Sequence, residues 1–304
     1  MVAQETNLQV FLANQKPSAR SHPVWRSLRR SRLAMSGSIV LIIVFLMAIT
    51  APILAPQDPG EVNLLDRLKP PGFVDDAGRI HYLGTDPLGR DLFSRLMFGS
   101  RISLLVGFSA VLIGGSLGLF FGLISGYYGR WIDDTIMRLA DIQLAFPSIL
   151  LYIAVLAVIG PGLGNVIAIL GFTGWVVYAR VARGQVLSVR EQEFVQAARS
   201  IGCRDSRIIW LHVLPNIFGA LIVVGSFAVA SNIIAEASLS FLGLGVPPAI
   251  PTWGIMLAEG KEYLRDAWWP VTFPGLAIML TVLSINALGD WLRDYLDPRL
   301  QSQD

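Results

Sequence analysis

The sequence predicts an all-α polytopic membrane protein with six transmembrane helices, on three observations. Of its 304 residues, 53% are hydrophobic and only 15% charged, with a mean hydropathy of +0.57; soluble domains carry about a quarter charged residues. Six apolar runs approach the ~20 residues that cross a bilayer core. Finally, sixteen of the 24 lysines and arginines fall in four segments that share one side if every run is a crossing. The net charge of +2 is too small to argue for a nucleic-acid partner.

Taken in order, residues 1–35 are a polar leader with the run Arg26, Arg29, Arg30 and Arg32. The first crossing is 36–55 (Ser36–Ala55). A cleaved signal peptide has a short leader and a shorter apolar core, so an uncleaved anchor is expected. Residues 56–101, rich in Pro, Gly and Asp, are too long for a simple turn, and such connections are functional or disordered. Then come Ile102–Ser125, Ile142–Gly160 around Pro147, Asn165–Ala182 with Gly171 and Gly174, Asn216–Ala235 and Val271–Gly289. Proline and glycine are tolerated in membrane helices because neighbours satisfy the freed backbone groups. A second long connection, 238–270, contains Phe241 and Trp253 and could dip into the outer leaflet or pack over a pathway. A tail, 291–304, closes the chain.

Orientation follows from the basic residues. With the N-terminus inside, the inner side holds sixteen Lys and Arg and the outer side eight, against ten acids. Both termini are therefore expected to be cytoplasmic, with His81 and Glu262 outside and Ser206 and Ser302 inside. Tyr127, Tyr128, Trp131, Trp291 and Tyr295 fall at inner ends of the runs, and Trp268 and Trp269 at an outer end, as interfacial belts do.

Gly114, Gly118, Gly122 and Gly126 repeat every fourth residue of the second run, a pattern that lets another helix approach closely. Glu236 lies roughly 31 Å along a helix counted from Pro215, at the outer rim. It reads as an outer gate, with Phe241 and Trp253, or as a solvated interfacial carboxylate. Asp133, Asp134 and Asp141 lie beside Arg130 and Arg138, which suits ion pairing or helix capping better than catalysis. Cys203 is the one cysteine, and His22, His81 and His212 share no ligand-like spacing, so neither a disulfide nor a metal site is expected. No catalytic nucleophile–base arrangement is recognisable. Lys16, Lys69 and Lys261 never occur in the Gly-Lys-Ser/Thr context that cradles phosphates, so no bound nucleotide or cofactor is expected.

The segment 186–215 stands out as a basic insertion between two crossings. Phe194, Ala197, Ala198 and Ile201 recur at i, i+3, i+4 and i+7, one apolar helical face. Gly202 follows where a helix-ending residue takes positive φ. Asp205 is placed to cap a second short helix bearing Ile208, Ile209, Leu211 and His212, and Pro215 suits the first turn of the next crossing. Such an element could lie on lipid headgroups. Its alanines, too small to anchor in lipid, favour a helix-in-groove contact with a cytosolic protein.

The stretch "QAARSIGCRDSRIIWLHVLPN" resembles the cytoplasmic signature loop of ABC importer permeases, with Ala197, Ala198, Gly202, Leu214 and Pro215 matching and Gln196 where the signature commonly has Glu. "LGTDPLGRDLFSRLMFGSRISLLVG", "GYYGRWIDDTIMRLADIQLAFPSILL", "AEASLSFLGLGV" and "PGLAIMLTVLSINALGDWLRDYLDPRL" extend the likeness to the C-type permease subunit of the dipeptide/oligopeptide/nickel family, over about residues 26–300. The resemblance implies a type I ABC importer permease architecture, with a core permease domain over 102–290, in a prokaryotic inner membrane. It also implies a related but distinct permease, two cytosolic ATPase subunits or domains that use ATP and Mg, and an extracytoplasmic substrate-binding protein. In that reading 186–215 is the coupling loop, seated in a groove of the ATPase. Dipeptides, oligopeptides, nickel chelates and glutathione are all substrates of the branch. An ion-gradient-driven transporter would call for buried ionisable groups near the midplane and repeat symmetry; neither is seen in the sequence.

Overall fold

The computed structural model describes residues 24–296, so most of the N-terminal leader, with His22, and the tail beyond 296, with Ser302, lie outside the described residues. A short helix α1 (Val24–Arg30) leads into α2 (Arg32–Leu54), whose first turn is capped by Ser31 accepting from the amide of Ala34. The first crossing is α2. Ile39, Ile42, Ile43, Leu46, Ile49 and Ile53 are exposed on it, surface suited to lipid and not to water.

The connection after α2 is an ordered lobe. It holds a 3-10 turn (Leu64–Asp66) and a two-stranded antiparallel hairpin, β1 (Phe73–Val74) and β2 (Ile80–His81), with Phe73 opposite His81. Gly89 has φ +74°, and any Cβ there would run into the carbonyl oxygen of Asn63, so glycine is required.

Helix α3 (Leu92–Tyr128), capped by Asp91, runs 37 residues. At 1.5 Å per residue that is about 55 Å, so it starts in the lobe, ten residues before the expected Ile102. Helices α4 (Arg130–Leu144) and α5 (Ser148–Ile159) meet at 84° across Pro147. The expected crossing Ile142–Gly160 is thus not a straight helix. Its apolar arm, α5, is only 12 residues, about 18 Å by the same rise. Proline removes an amide and clashes with the preceding turn, which breaks the rod here.

Helix α6 (Leu163–Val189) returns along α3, and the two form the most extensive helix pair of the fold. After the short helix α7 (Glu193–Ser200), α8 (Asp205–Phe241) crosses again. It is continuous, so the expected separate second helix ending before Pro215 does not exist. A π turn, Ile208–Val213, in which the amide of Leu214 donates to the carbonyl of Ile209, widens the helix immediately before the proline. The proline therefore sits inside the rod and does not open it. Helices α9 (Trp253–Gly260) and α10 (Trp269–Leu296) complete the bundle. Among the described residues, five helices are long and apolar enough to cross a membrane, or six where the bent pair α4–α5 counts as one span.

Two of the expected belt aromatics are internal. Tyr127 and Trp269 are buried, and Trp269 Nε1 donates to the carbonyl of Thr85 at 3.0 Å. Tyr128, Trp131 and Trp268 are exposed at helix ends.

Candidate functional site

The segment 186–215 is built on the arginine-rich end of the bundle. Helix α7 closes with a Schellman turn: Cys203 N–H donates to Ala198 O at 3.1 Å and Gly202 N–H to Arg199 O at 3.0 Å. Gly202 has φ +80°, with no atom near enough to hinder a side chain, so the demand on this position is conformational alone.

Phe194, Ala197, Ala198 and Ile201, read from the sequence as one apolar face, do not share it. Val195 and Ala198 are buried against the chain itself, packed with Tyr127, Val189, Ile208 and Val213, whereas Phe194, Ala197 and Ile201 point outward. Assigning Ala198 to the docking face is therefore corrected: its methyl group anchors the helix to its own protein, where a larger side chain has no room. Ile201 is 81% exposed, and Trp210 and Leu211 are exposed nearby in sequence. His212 lies against Phe194 with its ring tilted, the centroids 6.4 Å apart. Leu214 is half-buried and Pro215 exposed.

Asp205 does not cap a helix by its side chain; Oδ1 accepts from the hydroxyl of Tyr127 at 2.7 Å. Arg199 lies over the Tyr127 ring, 5.5 Å from its centroid, and Arg190 Nη1 donates to Gly126 O at 2.8 Å. Gln196 Nε2 donates to Arg190 O at 3.1 Å. A glutamate could not make that bond, so the departure from the signature residue has a local use. Through these ties α7 is fastened to the end of α3.

The glycines carry that attachment along the bundle. All four are buried against α6. A methyl group on Gly114 would sit 2.9 Å from Gly171 O, on Gly122 2.5 Å from Ala182 Cβ, and on Gly126 2.7 Å from Val186 Cβ. On Gly118 it would meet Trp175 O and Tyr178 Cβ. Small residues let two backbones approach this closely. Asp133 and Asp141 pair across to α6, not to their neighbours Arg130 and Arg138. Arg183 grips Asp133 with two bonds of 2.5 Å, and Arg180 reaches Asp141.

At mid-length of α3, α6 and α8 lies a cavity of about 340 Å³, bounded on the fourth side by the α4–α5 elbow. Its polar lining is uncharged: Gln143, Ser148, Tyr152, Thr173, Tyr178 and Asn232 among others. Sequence reasoning missed these residues, because single uncharged polar groups within apolar runs carry no pattern. No lining residue comes from 238–270.

The outer-gate residues are placed elsewhere. Glu236 is fully buried, accepting from Ser240 Oγ at 2.8 Å and approached by Ser103 Oγ at 3.5 Å, so it is neither solvated nor at an opening. Trp253 is likewise buried, its Nε1 donating to Leu96 O at 3.1 Å. Both join the lobe end of α3 to α8 and α9. Phe241 alone is at the surface, with Lys261 Nζ 4.5 Å above its ring.

Known proteins share this arrangement. Residues 118–302 match the family described as binding-protein-dependent transport system inner membrane component, and residues 21–71 the N-terminal TM domain of oligopeptide transport permease C. The dipeptide transport system permease protein DppC of Alkalihalophilus pseudofirmus is 43% identical, covering 91% of this chain and 90% of its own. The oligopeptide transport system permease protein OppC of Bacillus subtilis is 39% identical over 94% and 93%. In fold, the chain resembles a solved structure of the MetNI methionine ABC transporter in an inward-facing conformation, with TM-score 0.55 and 18% identity over 67% of this chain and 97% of that one. Spans, loop, seam and kinship agree, and the chain belongs to the ABC importer permeases, in the branch of the C-type subunits of dipeptide and oligopeptide systems.

Proposed function

We propose that this protein forms half of the translocation pathway of a binding-protein-dependent peptide importer, and that α7 couples the pathway to ATP hydrolysis by partner subunits. The observation that carries the reading is the division of α7. Val195 and Ala198 bolt it to the bundle while Phe194, Ala197 and Ile201 stand free. A helix anchored on one face and apolar on the other suits a groove on a second protein. The arginine-rich end is then cytoplasmic, as charge bias predicts, in a prokaryotic inner membrane with both termini inside. The partners in this reading are two ABC ATPases that bind ATP and Mg, a distinct permease and an extracytoplasmic binding protein.

The mechanism follows from the ties. Closure of the ATPases displaces α7, and Arg190, Arg199 and Asp205 pass the displacement to the end of α3. The glycine seam keeps α3 and α6 together, so these two walls of the mid-length cavity shift as a pair. The cavity offers hydrogen-bonding groups without fixed charge, which suits a peptide in passage: its amides are met, yet no ion pair holds it. Helix α5, with Leu156 its one buried residue, leaves an apolar face for the second permease.

The test is uptake into proteoliposomes carrying the complete complex, with loaded binding protein outside and ATP inside. Labelled dipeptide should accumulate only with ATP. Uptake driven by an ion gradient without ATP contradicts the reading, and ATP-driven uptake of a nickel chelate or glutathione with none of dipeptide would replace the substrate.

A further inference from the structure

In the lobe, three ligand-type side chains far apart in sequence converge: Asp66 from the 3-10 turn, Asp75 after β1 and His81 at the end of β2. One donor atom of each lies within 4.8 Å of the others. His81 is 2% exposed and Asp75 6% exposed. The imidazole is oriented by Asp91, the residue that also caps α3: His81 Nδ1 lies 3.0 Å from Asp91 Oδ1. A carboxylate only accepts, so this contact puts a proton on Nδ1. The other nitrogen, Nε2, then turns a lone pair toward Asp75 Oδ2, 3.9 Å away and beyond hydrogen-bond reach. Gln57 Nε2, 3.4 Å from Nδ1, is the other polar neighbour of the ring.

Nε2 and the Asp75 carboxylate are then two acceptors facing each other with no proton between them. Among the described residues, the one guanidinium bonded there is already engaged: Arg79 donates to Asp75 Oδ2 at 2.7 Å and to Glu61 at 2.9 Å. Against that single cation stand Glu61, Asp66, Asp75 and Asp91. Asp66 Oδ2 accepts from Asn63 Nδ2 at 2.6 Å, and Asp75 Oδ1 from the amide of Arg79 at 2.8 Å, which leaves each carboxylate further acceptor capacity. A ligand histidine whose second nitrogen donates to a buried carboxylate is the arrangement that raises imidazole basicity and fixes its tautomer for a metal.

We propose that Asp66, Asp75 and His81 bind one divalent cation of the Zn²⁺/Mn²⁺ class, with Asp91 as the positioning residue. One imidazole nitrogen and two carboxylate oxygens are three of the four ligands that such an ion takes. The bound ion joins the turn, the hairpin and, through Asp91, the start of α3. It serves to hold the lobe in one shape. The inference is independent of the transport reading and neither supports it nor falls with it.

The test uses the full-length chain in detergent, stripped with a chelator and titrated with Zn²⁺ alone by calorimetry, then with Mn²⁺ followed by electron paramagnetic resonance. Wild type should bind one ion per chain, and binding should raise its melting temperature. His81→Gln and Asp75→Asn should each weaken binding by about 100-fold or more and abolish the thermal shift, and Asp91→Asn should weaken it about 10- to 100-fold. His212→Ala should change nothing. Absence of saturable binding of either ion to wild type overturns the proposal. Wild-type-like binding by His81→Gln overturns it too.

Discussion

The two ends of the bundle hold their charges in opposite ways. At the lobe end, Arg90 and Arg95 share Asp86 and Glu259: Arg90 reaches Asp86 at 2.6 Å and Glu259 at 2.7 Å, and Arg95 reaches Glu259 at 2.6 Å as well as Asp86. The side chains of Arg95 and Asp86 are 1% and 2% exposed. At the arginine-rich end, Arg180 and Asp141 are 47% and 65% exposed, and Arg183 and Asp133 34% and 15%. Buried charges of this kind cannot part without stranding one another, whereas exposed pairs separate into water at little cost. The lobe end is a fixed joint between α3 and α9. The arginine-rich end is held more loosely, as the proposed coupling to a partner requires.

The sharpest way to break the comparison is at Arg95. Arg95→Ala leaves Asp86 and Glu259 with Arg90 alone in a buried site, and such a loss costs about 3–5 kcal/mol. The mutant should melt far below wild type in detergent. A loss no greater than that of Arg180→Ala would mean the two networks are equivalent.

Between the ends, the seam should come next. Gly118→Leu forces a side chain into Trp175 and Tyr178 and should cost about 1–3 kcal/mol. Gly184→Leu, on α6 with open space around it, is the control and should leave melting unchanged. Gly107, although off the stripe, is no control: a methyl group there would lie 3.0 Å from Ile233 Cγ1. Equal melting of the two leucine variants would mean that the seam is a matter of composition only. The smallest effect belongs to Arg180→Ala, which should cost below about 1 kcal/mol, read in the same assay, because both partners of its ion pair are largely exposed.

The crossings, the glycine repeat and the positive φ at Gly202 were legible in the sequence because each has a periodicity or a backbone demand of its own. The sense of Ala198 was not. Alanine is equally at home inside and outside, and adjacent Ala197 and Ala198 differ only in which side the bundle lies. Pro215 misled because a π turn upstream, invisible to any residue pattern, carries the helix through it. Glu236 and Trp253 looked like gate residues on depth alone; their hydrogen bonds to Ser240 and Leu96 come from packing between separate elements. The Asp66, Asp75 and His81 cluster escaped for the same reason, since a turn and a hairpin bring its members together.

The central claim, that α7 is the motor contact, rests on the outward half of that helix. Ala197→Glu puts a charge on the free face while leaving Val195 and Ala198 in place, whereas Ala198→Glu drives one into the packed face. The decisive measurement is copurification of the ATPase subunits with each variant, alongside ATP hydrolysis stimulated by loaded binding protein. Ala197→Glu should give permease in normal yield with ATPase lost or unstimulated; Ala198→Glu should lower the yield of the permease itself. Wild-type ATPase recovery and stimulation with Ala197→Glu would contradict the account and leave α7 as a helix lying on lipid headgroups.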